Sequence, residues 1–142
     1  GNVSVSPAQT VAIGGGGPAA FMVYGTGASP VNYMSINGAG NTQPGGAFTI
    51  TTTGVTQAGV YLVISLNQTN VAAFGGIMLA DYFSQILPLT FVPAAGGSAI
   101  YNSNVPNNPG LVGLSVYMQT GIGDASQPGG FGLSDGLKVT VL

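Results

Sequence analysis

Apolar and polar residues alternate along this chain with a period of two, and the 3.6-residue period of an amphipathic helix is nearly absent. Val3 and Val5 alternate with Ser4 and Ser6 until Pro7, and residues 9–13 make a second short extended piece. Four consecutive glycines at 14–17 cut this arm off from everything that follows. Strands are predicted at 19–24, 31–36, 47–53 and 59–66, with Gly, Pro, Asn and Ser in the turns between them. The runs 48–53 and 60–66 are β-branched and aromatic, the residue types that suit a pleated, half-buried surface. The apolar run at 71–80 contains Gly75 and Gly76 and predicts a strand pair or a bent strand. One helical turn fits 81–85, and a strand is expected at 86–91. Further strands at 97–101 and 111–119 flank a loop, 102–110, that holds two prolines and four asparagines. A Gly-rich hairpin loop over 121–136 leads to a last strand at 137–142. These nine or ten strands predict an all-β, jelly-roll-like two-sheet sandwich over 18–142, with an extended arm and glycine hinge over 1–17.

Composition narrows the chemistry. The chain has no His, Cys or Trp, and its charged side chains are Asp81, Asp124, Asp135 and Lys138. General acid–base catalysis needs a group whose proton moves near working pH, and a nucleophilic Ser or Thr needs a neighbouring base. No two of the four charged residues stand at a catalytic spacing, so no catalytic residues and no enzyme activity are expected. Transition metals want thiolate or imidazole, so no metal or other cofactor is expected either. One cation cannot neutralise a polyanion, which argues against nucleic acid. The glycines at 14–17 and 25–27 lack the Lys-Ser/Thr that a phosphate loop requires and read as hinge and turn residues. No apolar run reaches the length of a membrane helix, so no membrane span is expected.

Charged residues make up 3% of the chain and apolar ones 45%, so Asn, Gln, Ser and Thr must cover the surface. That surface suits a protein packed against copies of itself or coated with glycan, because near-zero net charge favours association. It also leaves few groups to couple stability to pH, which fits an extracellular setting. A start at Gly1 is what a mature, secreted chain would show after leader cleavage. Asn2-Val3-Ser4 and Asn67-Gln68-Thr69 are N-glycosylation sequons, which marks Asn2 and Asn67 as candidate acceptors.

Two stretches carry a resemblance. Phe48-Thr49-Ile50-Thr51-Thr52-Thr53, followed by residues 57–67, resembles the central hairpin of bacterial C1q/TNF-like domains, such as those of spore-surface collagen-like glycoproteins. Residues 105–119 and 132–142 are similar to the C-terminal part of uncharacterised secreted β proteins of planctomycete type. The first resemblance implies a ten-stranded jelly roll that forms trimers at a cell surface. Neither carries over a site residue, and the arm matches neither.

Three local features compete as sites. Asp124 and Asp135 flank the Gly-rich loop and would bind Ca²⁺ if it folded back, though Asp is also a common turn residue. Asp135 and Lys138 are placed to make a surface ion pair. The six Tyr and six Phe offer stacking surface for sugars, but most stand at alternating strand positions expected to face the core. The arm is the strongest candidate. An amphipathic strand tethered by four glycines needs a sheet edge to bury Val3, Val5, Val11 and Ile13. It finds one either in its own domain or, by strand addition, in a neighbouring copy. The expectation is therefore a secreted structural subunit of a surface filament, sheath or layer, its partners being copies of itself and glycans. A trimeric C1q/TNF-like or lectin-like binding module and a viral capsid or appendage jelly roll stand as alternatives.

Overall fold

The computed structural model describes residues 19–25, 34–73, 76–127 and 129–142. Among them are eleven strands: β1 (Phe21–Tyr24), β2 (Ser35–Gly40), β3 (Ala47–Thr53), β4 (Gly59–Ser65), β5 (Gln68–Ala73), β6 (Gly76–Ala80), β7 (Thr90–Ala95), β8 (Ser98–Asn104), β9 (Ser115–Gly123), β10 (Phe131–Leu133) and β11 (Gly136–Thr140). Two single turns of 3₁₀ helix, Tyr82–Ser84 and Pro109–Leu111, lie between strands. Nine strands form one antiparallel sheet in the order β1-β11-β9-β4-β7-β8-β3-β2, with β10 joined to β9, and β5 and β6 make a separate hairpin. The protein is all-β.

Period-two alternation sets the faces. Along β3, Phe48, Ile50 and Thr52 are buried, while on β4 Val60, Leu62 and Ile64 point inward. Met118 of β9 and Leu137 and Val139 of β11 join them in one core with Met34 and Ile36. Burying each of these side chains contributes roughly 1.5–3 kcal/mol.

The two ends of the sheet come together and nearly close it. Met34, just before β2, bridges Ser134, and the Ile36 N–H donates to Asp135 Oδ1 at 2.9 Å. Further along β2, Gly38 lies under the Phe21 ring of β1, and a Cβ at that position would fall 2.3 Å from the ring. Away from this seam the sheet opens. β7 pairs with β4 over Thr90–Pro93 and then with β8 only at Ala94–Ala99 and Ala95–Ser98. From Ile100 to Asn104, β8 pairs with β3 alone among the described strands.

Some elements match the sequence reading, and others differ from it for a local reason. The run at 71–80 is part of the hairpin β5–β6, and the turn at 81–85 is the 3₁₀ turn Tyr82–Ser84, capped by Asp81. The strand expected at 86–91 starts at Thr90, because Pro88 interrupts the run. The strand expected at 111–119 starts at Ser115. Asn108 and Pro109 wind the preceding residues into a 3₁₀ turn, closed by the Leu111 N–H to the Asn108 carbonyl and the Val112 N–H to the Pro109 carbonyl. The Gly-rich loop contains β10 and is therefore shorter than expected.

Candidate functional site

Two apolar grooves dominate the surface. The first lies on the outer face of β4, β9 and β10. The register pairs Tyr61 with Gly121 and with Phe91, and Gly123 with Phe131, so all five share that face. Gly121 and Gly123 strip the outer face of the end of β9 of side chains. The result is a groove of about 360 Å³ whose walls include Tyr61, Val63, Met78, Tyr82, Leu89, Phe131 and Leu133. Tyr61 and Phe91 meet edge-on at 5.2 Å, and Tyr82 and Phe83 at 5.6 Å. Phe83 is 94% exposed, and Tyr61, Tyr82, Leu89, Phe91 and Phe131 are each at least 40% exposed. Such a patch is unusual on a solitary soluble domain, where large contiguous apolar areas mark interaction sites.

The second groove, about 350 Å³, lies where β8 has left β7. Ser103, Asn104, Val105 and Pro106 line one side, and Ile86 and Leu87 also border it. Phe48, Ile64, Val116, Met118 and Val139 from the inner face of the sheet also line it, together with Leu111, Leu114 and Val141. None of its lining residues is charged.

Beneath the first groove a buried polar network ties β6 to the main sheet. Gln119, 2% exposed, accepts the Leu79 N–H at 2.9 Å and donates to the Ile77 and Ser134 carbonyls at 2.9 and 2.8 Å. Its amide thus stands in for a neighbouring strand. Ser134 Oγ accepts the Thr120 N–H and donates to the Asp135 carbonyl. Thr120 and Thr52 join their hydroxyls at 3.1 Å across the interior. Tyr24 donates its phenolic proton to the Leu79 carbonyl at 2.6 Å, and burial, with Tyr117 alongside, pushes that phenol well above its usual range. These hydrogen bonds occupy the amide of Gln119, so the groove above presents mostly hydrocarbon.

Asp135 is 7% exposed, which corrects its reading as half of a surface ion pair with Lys138. Burial raises its carboxyl above the ordinary range, opposed in part by the backbone hydrogen bonds from Ile36 and from its own amide. Asp124 is committed elsewhere: its Oδ1 accepts from the Ser126 amide and hydroxyl at the hairpin tip. The two carboxylates therefore have separate partners, and among the described residues no group of three His, Cys, Asp or Glu stands together to hold a metal. Asp81 caps the 3₁₀ turn through the Phe83 amide and the Ser84 hydroxyl.

Asn67 is exposed in the turn between β4 and β5. Asn2, Val3, Val5, Val11 and Ile13 lie outside the described residues. The aromatics depart from expectation: Phe21, Phe48 and Tyr101 pack on or in the core, whereas five others are exposed. The sequence signal for the first groove was present in Gly121-Ile122-Gly123, two glycines on one face of a strand. The second groove had no such signal, because its walls come from segments scattered between residues 48 and 141.

Fold and surface together define an all-β protein with a nearly closed antiparallel sheet and apolar grooves among its described residues. No family model matches the chain, and no curated protein or solved structure is similar to it. Among the described residues, no helix is long and apolar enough to cross a membrane.

Proposed function

We propose that this protein is a non-enzymatic, extracellular structural subunit that assembles with copies of itself into a surface filament, sheath or layer, its sheet folded as a jelly-roll-like two-layer sandwich. One observation carries this reading: half-exposed Tyr61, Tyr82, Leu89 and Phe131 line one groove, with half-exposed Phe91 against Tyr61, on a chain with a single cation and three carboxylates. Covering such a face removes apolar area from water at about 25 cal/mol per Å². The charge-poor chain sets little repulsion against that gain.

The aromatic cluster also supports the binding-module reading, since sugars stack on Tyr and Phe. A sugar needs converging hydrogen-bond partners as well. The groove's central polar side chain, Gln119, already spends its amide on Leu79, Ile77 and Ser134. Self-association is therefore the stronger reading.

Sedimentation velocity and electron microscopy of the purified chain test it. Ordered assemblies are expected at micromolar concentration, and the double variant Tyr61→Ser, Phe131→Ser should remain folded and fail to form them. A chain that stays monomeric at several hundred micromolar, or that binds a soluble glycan in its place, would overturn the reading.

A further inference from the structure

The second groove takes a more specific partner, an inference that rests on the self-association reading above. One side of this groove is the end of β8, which pairs between Ile100 and Asn104 with β3 alone among the described strands. The groove beside that edge is apolar, with Phe48, Ile64, Val116 and Val139 among its lining. A sheet edge next to an apolar trough suits an extended segment of alternating character. The segment's backbone continues the ladder, while every second side chain enters the trough.

The sequence contains a segment of that kind outside the described residues. Residues 1–13 alternate Val3 and Val5 with Ser4 and Ser6, place Val11 and Ile13 further on, and carry no charged side chain. The groove lining carries none either, so no desolvated charge opposes the contact. The arm's chain enters the fold beside the end of β11, whose Val139 lines this groove together with Val141, so an arm from the same copy is the rival occupant. Phe21 stands opposite Val139, and the Ala20 carbonyl accepts the Thr140 N–H, so at its entry to β1 the chain runs antiparallel to the end of β11. The four glycines at 14–17 add a hinge of roughly 13–14 Å when extended.

We propose that the groove between β8 and residues 86–87 is the receptor for residues 1–13 of a second copy, inserted as a strand along Ile100–Asn104. Donor and acceptor are then different surfaces of one chain, a head-to-tail contact that propagates into a fibre unless its rotation closes a ring.

The chain has no cysteine, so single introduced cysteines report the contact directly. Val5→Cys in one preparation is mixed under mild oxidation with Leu114→Cys in another, Leu114 being a half-exposed member of the groove. A disulfide between the two copies is expected. None is expected between Val5→Cys and Phe131→Cys, which borders the first groove. Deleting residues 1–17 should reduce assembly at least tenfold, and the free 1–13 peptide should bind the truncated chain and raise its Tm. Leu114→Asp in the truncated chain should keep its fold and lose peptide binding. Absence of the disulfide between the Val5→Cys and Leu114→Cys copies, linkage at Phe131→Cys, or unchanged assembly after truncation overturns the proposal and leaves self-association standing. If the intact chain never assembles, the self-association reading fails, and peptide binding to the truncated chain still reports separately on the groove.

Discussion

Asp135 holds its carboxyl at the seam of the sheet with the Ile36 N–H as partner, in a position that water barely reaches. Burial outweighs the hydrogen bonds, so its pKa is higher folded than unfolded. The folded state then binds this proton more tightly. The resulting stability is fully present below the unfolded pKa and is lost as pH rises through the folded one. Melting temperature should therefore be highest in acid and decline as Asp135 ionises, each pKa unit being worth about 1.4 kcal/mol, or roughly 4 °C. Asp135→Asn keeps an acceptor for Ile36 and should flatten that slope in a thermal melt scanned across pH. Gln119 is the other decisive single residue. Gln119→Leu leaves the Leu79 N–H and the Ile77 and Ser134 carbonyls without their partner, at about 1–3 kcal/mol for each buried group. Denaturant unfolding should show a loss of roughly 3 kcal/mol or more, and hydrogen exchange should show the Leu79 amide losing protection first.

Between elements, small residues decide how closely backbones approach. Gly38 admits the Phe21 ring, which in turn packs on Phe48 at 6.1 Å. Gly38→Ala should push that ring out and loosen the junction of β1 and β2, costing roughly 1–3 kcal/mol in a denaturant titration. Gly123 has no atom within 4 Å of an added Cβ, so Gly123→Ala should leave stability within about 0.5 kcal/mol of the parent. The contrast separates glycines that close the sheet from those that hollow its outer face. β7 supplies the other junction: it pairs with β4 through Thr90–Pro93 and with β8 through Ala94 and Ala95. Both the opening of the sheet and the edge of β8 follow from that change of partner.

For the whole molecule, the near-absence of charge sets how the proposed association would respond to solvent. Salt screens charge pairs, and this chain has few to screen. Assembly followed by light scattering should change less than about twofold between 10 and 500 mM NaCl. Sulfate, which is excluded from protein surfaces, should strengthen it. A steep loss of assembly with NaCl would show that the carboxylates or Lys138 hold the contact.

Much of this architecture is legible in the chain itself. Alternation identifies β3 and its buried face, because side chains in a strand point to opposite sides at every step, and β-branched and aromatic content identifies β4. The scarcity of charge and the single helical turn after Ala80 are also sequence properties. Strand starts near Thr90 and Ser115 were less legible, because apolar residues such as Leu87, Leu111 and Leu114 look like strand residues and in fact border a groove. Asp135 read as a surface residue because nothing near it in sequence announces that β2, some hundred positions away, comes to lie against it. The same holds for the exposure of Tyr61 and Phe131 and for the second groove. Alternation specifies that a residue faces one side of a strand, but whether that side meets core, hairpin or water depends on which strands pack there. Only long-range pairing, here the joining of β2 to the β10–β11 corner and the parting of β7 from β8, decides that.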